Sequence, residues 1–362
     1  MICNKFTCKM PDQDFTGSTC GYFVSANNTV YSQPCQGQLL ECFSPQVSQN
    51  YTCVMNDPFS IALPGDKCSK TSDCYWAFSK SCTGGICIGL NLKDSCTSTF
   101  QCNPSSSCRN VNGAMQCATL IEAGETGCLS EFDCDYEAGC SIVSVNDTSK
   151  NICIKYGSLV PGTQITNYTC GTNSKLCSSG LCAEDHNGKF ICTDEVISNG
   201  QIPLSCPEAY SSIGCTSKED QYLGYGLNTS CICAYNANGD SYCSLQNGDA
   251  PYVALRNEYS KWQSSKAVRK CNSNWRYPGY ANSRLQCASD YYDSKDYSTF
   301  LYRYVYAIYY ANVYGSEECV LKTFFPFYLQ AKNNFDNGGN GGNGNNTDSA
   351  ISIALTSFIA VL

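Results

Sequence analysis

Histidine is all but absent from this chain: among 362 residues only His186 carries an imidazole. That withholds the commonest general base and the commonest neutral metal ligand from almost every site the chain builds. No two of the 30 cysteines stand in the C-x2-C spacing by which zinc ribbons and fingers bring two thiolates onto one ion. Charged residues make up only 15% of the chain, and no Lys/Arg cluster is present to neutralise a row of phosphates, so nucleic acid is not an expected partner. The net charge of -8 is spread along the sequence and serves solubility. No apolar run reaches the length of a membrane-spanning helix.

Cysteine is what the chain has instead. At about 8% of all residues, with Gly, Ser, Thr and Asn abundant, it places the protein among disulfide scaffolds rather than proteins held by a large oily core. The even total allows every thiol to pair, which requires an oxidising compartment. The first residues, Met1-Ile2-Cys3-Asn4-Lys5-Phe6, have neither the basic nor the apolar region of a secretory leader. The expectation is therefore a start site placed too far downstream, with the signal peptide missing from this chain.

From Cys68 to Cys192 the cysteines form a ladder of four unequal copies of one unit: Cys68, Cys74, Cys82, Cys87; Cys96, Cys102, Cys108, Cys117; Cys128, Cys134, Cys140, Cys153; and Cys170, Cys177, Cys182, Cys192. The segment between the third and fourth cysteine of each copy carries a turn pair: Gly84-Gly85, Asn112-Gly113, Asn146-Asp147 and Asn187-Gly188. Asn-Gly and Gly-Gly accept positive φ at both turn positions, as a type I′ hairpin demands. Each copy is thus expected to end in a small β-hairpin bounded by cysteines. Such hairpins are unstable alone, and a bridge closing about 15 residues offsets this by roughly 3 kcal/mol on the chain-entropy account. Four cysteines permit three connectivities, and the spacing does not choose among them.

The remaining stretches divide by composition. Residues 1–63 hold six cysteines, the last four spaced as a degenerate copy of the unit; residues 64–200 are the tandem repeats; residues 201–248 form a diverged fifth module, ending in Cys231-Ile-Cys233, Asn238-Gly239 and Cys243. Residues 249–332 are rich in aromatics and partly helical, with helices expected over Val253–Lys270 and Tyr297–Tyr314. Three cysteines, Cys271, Cys287 and Cys319, cannot all pair among themselves, so one bridge back to the Cys206–Cys243 stretch is expected. Residues 333–349 are a Gly/Asn-rich linker and residues 350–362 an apolar tail.

That tail carries the most specific functional signal. Thirteen mostly apolar residues rise about 20 Å as a helix, short of a hydrocarbon core of about 30 Å. Small residues, a polar spacer and a terminal apolar stretch form a glycosylphosphatidylinositol (GPI) attachment signal, with Asn337, Gly338, Gly339, Asn340 or Gly341 as the attachment residue. The protein is then expected on the extracellular face of the plasma membrane, with the membrane as partner through the lipid. Asn27, Asn50, Asn146, Asn167 and Asn228 begin sequons in polar loops; Asn345 begins another that the tail would remove.

Catalysis has little to stand on. His186 sits at a hairpin tip, Asp133, Asp135 and Glu137 read as a solvated face, and Asn236 to Asp240 reads as a turn lacking the distal acid of a calcium loop. No cofactor or metal is implied. Trp262, Trp275, Tyr277 and Tyr280 are the candidates for stacking on a protein or glycan ligand, against the reading that such rings form the core of a domain short of Leu and Ile.

From Gly65 to Cys192, the Gly-x-x-Cys entry at Gly65 and Cys68, the five-residue first loop and the late hairpin resemble the Dickkopf N-terminal cysteine-rich domain and EB-type modules. The whole layout resembles the lipid-anchored cysteine-rich surface proteins of single-celled eukaryotes. The fold class expected is small and disulfide-rich: tandem four-cysteine modules with short β-hairpins, followed by a small partly helical aromatic-rich domain. The expected role is a non-enzymatic surface coat, adhesion or recognition protein, built as a rod of modules with the aromatic domain at its membrane end. The alternative is a secreted disulfide-rich ligand or protease-inhibitor-like binding protein.

Overall fold

The same few local contacts build each module. In the first three, an acceptor side chain just before the second cysteine turns back onto the N–H groups that follow the first. Asp73 Oδ2 accepts from Ser69 and Lys70 at 2.8 and 3.0 Å, Gln101 Oε1 from Thr97 and Ser98 at 2.8 and 3.3 Å, and Asp133 Oδ2 from Leu129 and Ser130 at 2.8 and 2.9 Å. This capping closes one 3-10 turn, at Thr71–Asp73, Thr99–Gln101 and Glu131–Asp133, which accounts for the short polar first loop. The residue after the second cysteine then donates to the strand entering the module: Tyr75 to Ala62, Asn103 to Leu90, Asp135 to Ile121 and Ser178 to Leu159, at 3.0, 3.1, 2.8 and 2.8 Å. Because this contact recurs in all four modules, Trp76, Pro104, Tyr136 and Ser179 occupy equivalent places.

The computed structural model describes residues 3–8, 19–24, 29–32, 40–43, 50–55, 62–276, 287 and 295–336. The expected hairpins are present. Strands β6 (Ser81–Thr83) and β7 (Ile86–Ile88), β8 (Ser106–Val111) and β9 (Ala114–Thr119), β10 (Ala138–Ser141) and β11 (Ile152–Lys155), and β12 (Cys182–Glu184) and β13 (Phe190–Cys192) pair with the third and fourth cysteines directly opposite. Every module joins its first cysteine to its third and its second to its fourth. The bridged sulfurs are themselves the module cores, as in the buried cluster of Cys96, Cys102, Cys108 and Cys117.

Two of the four turns differ from expectation. Gly84 and Gly85 (φ 62° and 80°) and Asn112 and Gly113 (φ 53° and 88°) have the positive φ pair of a type I′ turn. Between Cys182 and Cys192 only Gly188 is positive; Asp185 Oδ1 accepts from Asn187 and Lys189 and holds a wider loop. The segment at Asn146-Asp147 is too long for a two-residue turn, and Asp147 instead caps a 3-10 turn at Thr148–Lys150.

The fifth module keeps the scheme. Strands β14 (Thr216–Glu219) and β15 (Gly226–Asn228) precede the hairpin of β16 (Cys231–Cys233) and β17 (Ser241–Cys243), with Cys206 bridged to Cys231 and Cys215 to Cys243. Its extra cysteine, Cys233, bonds to Cys3. Cys271 pairs with Cys287, and Cys319 with Cys8. The bridge expected between the aromatic region and the fifth module is therefore replaced by two bridges to the N-terminal strand, which clasp the beginning of the chain to both.

The N-terminal region builds a larger sheet than any described module. Strands β1 (Lys5–Cys8), β2 (Thr19–Val24), β3 (Thr29–Ser32), β4 (Leu40–Phe43) and β5 (Asn50–Met55) form one sheet in the order β1-β3-β2-β5-β4, with β1 parallel to β3. Cys42 lies opposite Cys53 as in a module hairpin, but β2 pairs along β5, which no module strand does.

Helix α1 (Asn167–Asn173) belongs to the fourth module. After the fifth come α2 (Ala250–Ser264), α3 (Lys295–Val313), α4 (Glu318–Phe324) and α5 (Pro326–Asp336). The first expected helix stops at Ser264 and resumes as a 3-10 turn at Val268–Lys270, and α5 runs past the linker boundary expected at 333. Leu301, Val305, Tyr328 and Leu329 form one core between α3 and α5, while Val320 of α4 packs on Phe6 and Val30 of the N-terminal sheet. Among the described residues no helix is long and apolar enough to cross a membrane. The helical region is clasped to the chain's N-terminal strand and lies along the ladder, rather than ending an open rod.

Candidate recognition surface

Trp262, expected as a stacking surface, is fully buried. Its Nε1–H donates to the Arg276 carbonyl at 3.0 Å, and its ring packs with Tyr136, Val268, Cys271 and Cys287. A region short of Leu and Ile uses this ring as core, so Trp262 offers no free face to a ligand. The Trp275 side chain, Tyr277 and Tyr280 lie outside the described residues, as do Asn27, the Asn50 side chain and residues 337–341.

What Trp262 supports is a strap, residues 268–276, laid across the second and third modules. Asn272 Nδ2 donates to the Cys102 carbonyl at 2.9 Å, and Ser105 Oγ donates to the Arg269 carbonyl at 3.3 Å. Tyr136 Oη donates to the Cys271 carbonyl. Burial raises the Tyr136 phenol to about 12. The Arg276 guanidinium, entirely buried, donates to the carbonyls of Cys134, Ala138 and Ser273 at 2.8, 3.0 and 3.1 Å. It also lies over the rings of Phe132 and Tyr136 at 5.5 and 5.7 Å.

The acidic group read as a solvated face is part of this junction. Asp133 is buried with Oδ1 accepting from Ser107 Oγ, and Asp135 takes both 2.7 and 2.9 Å contacts from Arg269 Nη1. The Asp135 hydrogen bond raises the Arg269 guanidinium above its ordinary value. At the fourth module, Asn247 Nδ2 donates to the Ser179 carbonyl at 2.7 Å, and Arg256 of α2 donates to the same oxygen. The C-terminal part of the chain thus reaches modules two, three and four at the second cysteine or two residues after it.

Module one is different. Trp76 stands where Tyr136 stands in module three, yet it is 84% exposed. Tyr75 lies beside it at 6.2 Å between ring centroids, Phe78 lies 5.0 Å from Tyr75, and Phe78 stacks on Phe100 of module two at 5.1 Å. The sequence signal was available: Tyr75-Trp76-Ala77-Phe78 falls inside a module whose core is disulfide, where aromatic rings have no interior to enter.

The other polar features are engaged structurally. A cleft of about 210 Å3 is lined by Asp194, Glu195, Lys218 and Asp220 among others. Asp220 accepts from the N–H groups of Asp194, Tyr222 and Leu223 at 2.9, 2.8 and 2.9 Å, and Glu195 pairs with Arg256. His186 sits at the β12–β13 tip, against Asn187. Asn236 Oδ1 accepts from Asn238, Gly239 and Asp240, which makes the expected turn. The sulfur clusters of the modules are bridged pairs and carry no thiolate for a metal. Asn146, Asn167 and Asn228 are exposed.

The fold defines a small disulfide-rich protein of tandem four-cysteine modules with a helical C-terminal part, and its thirteen described bridges point to an oxidising, extracellular or secretory environment. No protein-family model, curated protein or solved structure matches the chain.

Proposed function

We propose that this is a non-enzymatic, GPI-anchored extracellular surface protein whose role is recognition or adhesion within a cell-surface coat. The observation that carries the reading is covalent: five modules each closed by two bridges, and an N-terminal strand bonded through Cys3 and Cys8 to Cys233 and Cys319. Such a framework suits a protein that persists outside the cell, where burial in small modules cannot supply stability alone. The composition of residues 333–362, a Gly/Asn-rich stretch followed by an apolar one, supports the lipid anchor. The likeness of residues 65–192 to Dickkopf-type and EB-type modules supports a binding role over a catalytic one.

The test is release from intact cells by a phosphatidylinositol-specific phospholipase, followed by phase separation in detergent. The anchored form enters the detergent phase before treatment and the aqueous phase after it, and mass spectrometry finds the chain ending within 337–341. Retention of residues 350–362 in the mature protein, or unchanged partitioning, sinks the anchor.

A further inference from the structure

Three modules are met by side-chain donors of the C-terminal part of this chain around the second cysteine: at its carbonyl in modules two and three, and two residues later in modules three and four. In module two it is Asn272 on the Cys102 carbonyl. In module three two guanidinium groups, of Arg269 and Arg276, lie 5.9 and 5.7 Å from the Tyr136 ring. In module four Arg256 reaches the Ser179 carbonyl. The backbone contact that fixes this register, from the residue after the second cysteine to the entering strand, is also made in module one, by Tyr75 to Ala62 at 3.0 Å. Module one therefore makes the same backbone contact, with the largest ring of the four at the position after it, and among the described residues no guanidinium lies over that ring, which is 84% exposed.

We propose that the Trp76 face is a docking site for a segment of another protein that presents an arginine side chain, in the way Arg269 and Arg276 are presented to Tyr136. Tryptophan is the ring that holds a cation best, and a guanidinium is the cation that stacks on it. The ring is carried between Cys74 and Cys82, both bridged, so little chain freedom is lost on binding. Lys80 is paired with Asp94 at 2.9 Å, and Asp73, in the turn just before Trp76, is held as a carboxylate by the Ser69 and Lys70 N–H groups. The chain as a whole carries a net charge of -8. The inference rests on the reading of the chain as a recognition protein but not on its anchor, so phospholipase release and binding through Trp76 fail separately.

The test is selection of a random-peptide phage library on the immobilised, disulfide-bonded full chain, with recovered peptides resynthesised carrying arginine, lysine or citrulline at the shared position. The expected peptides have an arginine in common. Citrulline removes binding, and Trp76→Ala weakens it at least tenfold while the non-reduced mobility and the melting temperature stay those of the wild type. Trp76→Tyr keeps part of the affinity. Peptides without a shared arginine, or equal binding to Trp76→Ala, overturn the proposal. So does Trp76-dependent retention on an array of neutral oligosaccharides, which assigns the face to a glycan. Self-association in sedimentation that Trp76→Ala abolishes overturns it as well, because the occupant is then a second copy.

Discussion

The Arg276 guanidinium meets the Cys134 carbonyl at 2.8 Å across 142 residues of chain, with the arginine wholly removed from solvent. The charge is met there by fixed carbonyls, those of Ala138 and Ser273 included. Arg276 thus joins Asn272, Arg269 and the Tyr136 cluster in positioning the strap.

Replacing that side chain tests the arrangement. Arg276→Met leaves the Cys134 and Ala138 carbonyls buried without their donor, and a loss of about 2–4 kcal/mol is expected from unsatisfied groups of this kind. Arg276→Lys recovers less than half, since an ammonium cannot reproduce the planar fork. Denaturant midpoints of the non-reduced protein read both values. Midpoints within error of the wild type for both variants would mean that the strap does not depend on Arg276.

A second test reads the same junction from the module side. Gly65 has φ 101°, and a Cβ placed on it would lie 2.6 Å from the Lys270 carbonyl oxygen and 2.7 Å from Pro104 Cγ. Gly65→Ala therefore meets both a backbone conformation closed to alanine and the strap itself, and about 1–3 kcal/mol of destabilisation is expected. Gly84→Ala is the comparison, because φ there is also positive, at 62°, but a Cβ faces open space. Limited proteolysis after Lys270 should accelerate in the first variant and not in the second. Equal rates would place the strap away from Gly65.

The modules were legible because their determinants are local. Cysteine spacing and the pairs Gly84-Gly85 and Asn112-Gly113 lie within a few residues of the hairpins they make. The connectivity was not legible, since any of three pairings suits four cysteines; the third and fourth facing each other across a hairpin while bonding elsewhere excludes one of them, and the first-to-third, second-to-fourth choice is set by the folded first loop. The strap was illegible for the opposite reason. Arg276, in the sequence Asn274-Trp275-Arg276, looks like any surface cation until the third module's carbonyls are in place around it. Asp135 read as solvated because its partner, Arg269, lies 134 residues away. Trp76 stands apart from the aromatic-rich region, where rings are plentiful and for that reason form core.

The N-terminal clasp offers a third test. Peptide mapping of the protein under non-reducing conditions should recover Cys3 with Cys233 and Cys8 with Cys319. Removing one clasp bridge as the pair Cys3→Ser and Cys233→Ser is expected to cost about 2–4 kcal/mol, less than the 230-residue separation suggests, because the second bridge and the modules already shorten the free loop. Removing both should release the N-terminal strand from α4, seen as loss of amide protection at Phe6 and Val320 with the four ladder modules unaffected. Recovery of Cys3 or Cys8 with any other cysteine would remove the clasp from the fold.

Alkaline pH isolates the strap by its chemistry. An unfolded tyrosine ionises near its ordinary value of 10.0, whereas burial holds the Tyr136 phenol protonated up to about 12. Between these values the unfolded chain binds fewer protons than the folded one, so stability falls as pH rises. It is full below about pH 10 and reduced by at most roughly 3 kcal/mol beyond the folded value. Tyr252 and Tyr306 are raised by burial as well and add to the same slope. Tyr136→Phe separates the contributions. It loses the hydrogen bond to the Cys271 carbonyl and is less stable at pH 8, but its stability declines less steeply from pH 9 to pH 11 than that of the wild type. Absorbance at 295 nm should show one fewer late-ionising phenol in the variant. Parallel pH slopes for the two proteins would mean that Tyr136 titrates in solvent, and the strap would then have to lie elsewhere.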